Sequence, residues 1–303
     1  MKVEAMATPP VLIRTRSLGS FRIHALEAGV QRLDGGAMFG VVPKVLWERR
    51  IAADQRNRIP LALRCLLVET PDELVLIDNG VGNKESDKFR DIYGIENDPV
   101  DAAAGHATRL EDAIAAAGFR PADVGLMIDT HLHFDHAGGN TFVDRDGDVR
   151  LTFPNARYIV QRGEWEWAHL QNERISASYL PHNMDPVAEA GRFEFVEGNV
   201  EVMPGITLMR TPGHTPHHQS VLIRSGGETA CFLADVIPTS AHLPLPWIMG
   251  YDVEPLVTLE SKRALLPKAR DEEWLLVFEH DPVVAWGRLS GDRNRPVLTD
   301  TGS

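Results

Sequence analysis

The chain has 303 residues, 43% of them hydrophobic, which is enough for a large core, and sandwiches of this size often fold as one domain. Its 43 acidic residues against 31 basic ones leave a formal net charge of −12, which repels phosphate backbones and excludes nucleic acid as the main partner. No apolar run reaches the ~18 residues that span a bilayer, and the opening segment lacks the apolar core of a signal peptide, so no membrane association and a cytoplasmic home are expected.

Short apolar runs at 11–14, 21–26, 62–68 and 74–77 read as strands. Between the second and third lies Asp34-Gly35-Gly36-Ala37-Met38-Phe39-Gly40, where glycines surround an apolar pair that an uncovered surface loop has no use for. Met38 and Phe39 are candidate substrate-binding residues, forming an apolar lid over a cleft; a homodimer interface or the core would cover them equally. Leu110, Ala113 and Ile114 then recur at helical spacing between Thr108 and Ala117, and Gly118 stops that helix.

Val124 to Asp129 has the short apolar run of a buried strand, and His131-Leu132-His133-Phe134-Asp135-His136 leaves its end. Four potential metal donors thus fall within six residues, on the kind of loop where open α/β sheets place their chemistry. Neutral imidazoles and carboxylates are the donors that zinc and its neighbours accept. In an extended stretch His131 and His133 point to one side and can reach one ion. Asp135 and His136 need a turn to share a second, and Gly138 and Gly139 are expected to supply the freedom for it.

Residues 156–160 read as another strand, and 164–168 open a helix whose Trp165 and Trp167 are expected to anchor packing. Three more candidate donors each end an apolar run: His214 after 206–209, Asp235 after 230–234 and His280 after 274–279. A helix is expected over 255–269. Cys65 and Cys231 lie within strand-like runs and are expected as buried thiols, not a disulfide. His24, His106, His169 and His182 stand alone and read as structural or surface residues, and His217 as a loop-packing one. The domain is expected to span 11–296, with residues 1–10 and 297–303 loosely held. Spacing by itself indicates only an α/β or α+β fold.

The His-x-His-x-Asp-His block, the later His214, Asp235 and His280, and the strand-end Asp78 resemble, in their order, the metallo-β-lactamase superfamily of metal-dependent hydrolases. The resemblance implies a four-layer αββα sandwich that binds two divalent metal ions, zinc foremost, with manganese, iron or cobalt as alternatives. His131, His133 and His214 would hold one ion, Asp135, His136 and His280 the other, and Asp235 would bridge them. Asp78 and His218 would support these donors from behind. With a bridging hydroxide the site would carry a charge of about +1, which suits a neutral electrophile that turns anionic as it reacts.

The loop around Met38 and Phe39, together with Asp235 to Leu243, resembles more narrowly the quorum-quenching acyl-homoserine lactonases and, more distantly, methyl parathion hydrolase. This implies opening of a neutral small-molecule lactone or carboxylic ester by metal-bound hydroxide, with Asp135 also acting as the acid for the leaving alkoxide. Many such lactonases place a tyrosine three residues after the bridging aspartate. Pro238 stands there instead, so His242 is the nearest candidate catalytic donor to the oxyanion. The alternative function is a phosphotriesterase or phosphodiesterase on the same metal pair. A non-hydrolytic metal-binding or redox protein is weaker, because redox relatives replace one of the block's histidines by an acid.

Overall fold

In the computed structural model, which describes residues 11–302 apart from 171, 293 and 294, the apolar runs become two seven-stranded sheets. The first follows chain order in space: Ile13–Leu18, Phe21–Asp34, Arg58–Glu69, Leu74–Ile77, Val124–Ile128, Arg157–Gln161 and Phe193–Val196. Its first four strands pair antiparallel, the first and third links being short turns and the middle one a longer excursion through 35–57, and the rest pair parallel, each reached by a longer connection. The second sheet runs Val200–Met203, Ile206–Arg210, Gln219–Ser225, Glu228–Phe232, Leu275–Val277, Trp286–Asp292 and Arg295–Gly302. Its one parallel pair, Glu228–Phe232 with Leu275–Val277, requires a crossover, which the helix Pro255–Asp271 supplies.

Alternation along the strands places Ile23, Leu66, Val75 and Leu126 of the first sheet against Leu208, Val221, Phe232 and Val277 of the second, and this dry layer is the main core. The outer faces are apolar too. Leu110, Ala113 and Ile114 from the helix Arg109–Ala116, with Val187 from Pro181–Glu189, cover the first sheet. Leu265, Leu266 and Ala269 of Pro255–Asp271 cover the second. The layers therefore stack as the expected αββα sandwich.

Two departures from the sequence reading matter. The strand expected at 21–26 continues to Asp34 through a bulge between Glu27 and Val30. Gly29 sits there at φ 148, pressed so closely on Asn97 that a Cβ would lie 2.8 Å from that side chain, and the extension carries Gln31 into the interior. At the other end, 297–302 are not loosely held: they belong to the last strand, where Leu298 packs inward on the second sheet's outer core. Residues 1–10 and 303 lie outside the described residues. Cys65 and Cys231 are buried free thiols. Among the described residues, no helix is long and apolar enough to cross a membrane.

Candidate metal centre

The strand ends of both sheets meet at one edge of the sandwich, and backbone strain collects there. Asp78 at φ 53 and Ala234 at φ 47 are non-glycine residues in the left-handed region, one ending Leu74–Ile77 and the other immediately before Asp235. After Val124–Ile128 the chain bends at Thr130 and His131, is extended at His133 and then turns into the short helix Phe134–Ala137. Gly138 and Gly139 serve close approach here, not turn freedom: a Cβ on Gly139 would lie 2.3 Å from the Asn79 carbonyl oxygen, and one on Gly138 2.9 Å from that of Gly80.

Seven candidate donor side chains converge in two groups. His131, His133 and His214 gather on one side with Asp235, and Asp135, His136 and His280 gather on the other. Asp235 lies between them, its Oδ2 3.0 Å from His214 Nε2 and 3.6 Å from His136 Nε2, its Oδ1 3.2 Å from His280 Nε2. Within each group the rings also touch directly. His214 Nε2 is 3.1 Å from His133 Nδ1, and His280 Nε2 is 3.2 Å from His136 Nε2.

What fixes the chemistry is the other nitrogen of each ring. His214 Nδ1 donates to Asp252 at 2.9 Å, and His280 Nδ1 donates to the Ala62 carbonyl at 2.8 Å. His136 Nδ1 lies 3.0 Å from both Asp78 Oδ2 and Glu279 Oε2. With the rear nitrogen carrying the proton, the front nitrogen of each ring is a lone pair, and these lone pairs face one another across little more than 3 Å. Asp235 Oδ1 is buried without a hydrogen-bond partner. An arrangement of converging acceptors is stabilised by cations, and the donor set suits divalent ions of the zinc type. Burial opposes the charged form of His280, but Asp235 outweighs it and brings the ring up to about 9. Protons thus compete with cations for the same nitrogen.

Further side chains lock these donors in place. The buried Glu164 accepts from Tyr179 Oη at 2.7 Å, from Thr215 Oγ1 at 2.6 Å and from Leu132 N at 3.2 Å, tying the His133 loop to the His214 loop. Gly213, at φ 133, backs onto Thr258 so tightly that a Cβ would lie 2.2 Å from that backbone nitrogen. His218 Nε2 accepts from Asp235 N at 3.1 Å, consistent with a ring pushed down to about 3 by burial and by His214. Gln31 donates to Asp135 Oδ2 at 2.5 Å. Arg64, 1% exposed, donates to the carbonyls of Phe278 and Asp281, on either side of His280. Sequence reasoning found Asp78 and His218 but missed Gln31, Arg64, Glu164, Asp252 and Glu279. Only Glu279, an acid beside a donor at a strand end, carried a local signal.

His133, Asp135, His214, Asp235 and His280 form the floor of a cleft of about 430 Å³, whose walls include Leu33, Met38, Ile175, Met249 and Val253. Met38 reaches it as expected. Phe39 does not, and this corrects the lid reading: it is fully buried, stacked on Trp47 at 5.4 Å and on His242 at 4.6 Å, where apolar packing absorbs it completely. His242 is likewise turned away. Its Nε2 lies 2.8 Å from the Met38 carbonyl, which fixes the proton there, while Nδ1 accepts from the Thr239 hydroxyl at 2.8 Å, so no donor remains for an oxyanion. Trp165 and Trp167 pack as expected, and His217 lies against Gly163. His24, His106, His169 and His182 each face a carboxylate outside the cleft.

Residues 60–280 match the sequence profile of the Metallo-beta-lactamase superfamily. An N-acyl homoserine lactonase from a Bacillus species is 31% identical over 228 residues, 74% of this chain and 82% of that protein. A crystal structure of a probable metal-dependent hydrolase from Staphylococcus aureus superposes with a TM-score of 0.83 at 31% identity, covering 95% of this chain and all of that one. AidC, a dizinc quorum-quenching lactonase solved in complex with a product, shares the fold at a TM-score of 0.76 and 21% identity, over 96% of this chain and 98% of its own.

Proposed function

This chain belongs to the metallo-beta-lactamase superfamily and is a metal-dependent hydrolase, and from that premise we propose that it opens a lactone of the N-acyl homoserine type or a closely similar carboxylic ester. The observation that carries the reading is the pair of donor groups sharing Asp235 at the floor of an apolar-walled cleft. A neutral ring head with a greasy arm suits that combination of polar floor and apolar wall.

His131, His133 and His214 would hold one divalent ion and Asp135, His136 and His280 a second, with Asp235 shared and zinc the first choice for both. Such a pair supplies Lewis acidity, lowering the pKa of water to about 7 and polarising an ester carbonyl. Asp135, which lines the cleft and accepts from Gln31, would take up the proton released by an attacking water and return it to the leaving alkoxide. Asp78, His218 and Asp252 keep the donors in one orientation, so little rearrangement is needed as charge develops. Neither sheet carries a complete donor set, so the two act as one catalytic domain.

The test is a screen of the purified protein against lactones, aryl esters and phosphotriesters, with elemental analysis of the same sample. Close to two divalent ions per chain, lactones turned over best, and loss of turnover on chelation are expected. A preference for phosphotriesters, or full activity with one ion, overturns the reading.

A further inference from the structure

One group in the cleft has no part in the chemistry above. Arg174 lies in the turn-rich segment 172–178, which is fixed by the Asn172 side chain accepting from the backbone nitrogens of Arg174 and Ile175 at 3.0 and 3.2 Å. Its guanidinium is exposed at the cleft and donates from Nη2 to the Gly250 carbonyl at 3.2 Å. In a chain with 12 more acids than bases, this is, among the described residues, the only lysine or arginine lining that cleft, and it forms no ion pair with a described carboxylate. Tyr93 and Tyr251 line the same cavity, and neither hydroxyl has a hydrogen-bond partner among the described residues.

A guanidinium is donor-only, with five N–H groups in a planar fork, and an idle phenol at ordinary pH is a ready donor. The walls otherwise offer apolar carbon. A cavity with surplus donors away from its metal-donor floor recognises a ligand with acceptor oxygens in the corresponding place. We propose that Arg174, assisted by the Tyr93 and Tyr251 hydroxyls, receives an acceptor oxygen on the substrate's arm, so that the preferred lactone carries a carbonyl or carboxylate beyond its ring. This rests on the lactonase reading and adds to it the residue that selects the arm. Arg174 is then a specificity residue that acts on binding, since it touches the arm and not the reacting atoms.

The experiment compares three butyrolactones of equal arm length, bearing an alkyl, an acylamino or a carboxyalkyl arm, on the metal-loaded wild type and on Arg174→Met and Arg174→Lys. A charge-assisted hydrogen bond predicts that an acceptor-bearing arm exceeds the alkyl arm in kcat/KM by ~10- to 100-fold, chiefly through KM. Arg174→Met should reduce that ratio to within about threefold, and Arg174→Lys, which keeps the charge but not the fork, should retain part of it. Preference for the acylamino arm identifies a carbonyl as the partner, and preference for the carboxyalkyl arm a carboxylate. An equal loss on all three substrates, or a wild type indifferent to the arm, overturns the proposal and leaves the lactonase reading standing. No turnover of any lactone removes that reading, and this inference with it.

Discussion

On the floor of the cleft, His214 and His280 have one ring nitrogen tied down and the other aimed outward, and Asp235 keeps a buried oxygen without a partner. On the wall, Phe39 and His242 have every face satisfied: one is stacked between rings, and the other gives its only proton to a backbone carbonyl. Both regions are buried and both contain histidine. Residue type therefore does not separate chemistry from packing here; what separates them is whether a lone pair is left over after the fold has used its hydrogen bonds.

That contrast can be broken by substitution. Floor variants should lose metal while remaining folded, and wall variants should lose stability while keeping metal. The largest effect is expected for Asp235→Ala, which removes the acid between the two groups. Groups one layer behind a donor cost ~10- to 100-fold, so loss of Asp235 should exceed ~1000-fold in turnover and leave fewer than two ions per chain by elemental analysis. Retention of both ions would remove Asp235 from its bridging role.

Phe39→Ala comes next and belongs to the wall. Truncating a fully buried aromatic should cost ~3–5 kcal/mol in denaturant unfolding, with metal content unchanged. If stability holds and only long-armed substrates suffer, the ring is a lid after all.

Within the floor, the two donor groups differ in what stands behind them. His214 has Asp252 alone, whereas His136 has both Asp78 and Glu279. Asp252→Asn should therefore weaken one ion by ~10- to 100-fold in a chelator competition, and Asp78→Asn should weaken the other by less. Equal losses would show that Glu279 does not share the task.

The smallest effect is expected for His242→Ala. It deprives the Met38 carbonyl of its donor, so ~1–3 kcal/mol of stability should be lost, while turnover at fixed metal content should change by less than about threefold. A hundredfold fall with unchanged unfolding would restore His242 as an oxyanion donor.

The same distinction explains what could be read in advance. His131, His133, Asp135 and His136 were legible because few structures other than a metal site need four such donors in six residues, and His214, Asp235 and His280 because each ends an apolar strand. Strand-like runs with helices between them indicated only an α/β or α+β fold, and the four-layer sandwich came from the family resemblance that the donors carry. Gln31 was invisible, since its position depends on a bulge that continues a strand past its apparent end. Glu164 and Asp252 each work through a partner distant in sequence, and no local pattern marks such a contact. For Phe39 the sequence required a cover but did not say which: lid, interface and core stayed open until Trp47 and Trp247 were placed around it.

The division of the donors between the sheets also has a temporal side. Four of the seven, His131 to His136, follow strands of the first sheet, and His214, Asp235 and His280 follow strands of the second. On a ribosome the early block emerges before its counterparts, and the 144 residues from His136 to His280 take roughly 7–30 s at ordinary elongation rates. Until His214 and Asp235 follow, neither donor group is complete, and the last donor to appear, His280, is also the one that Arg64 clamps through the flanking carbonyls. A chain cut short between Asp235 and His280 would thus carry one full donor group and lack the other.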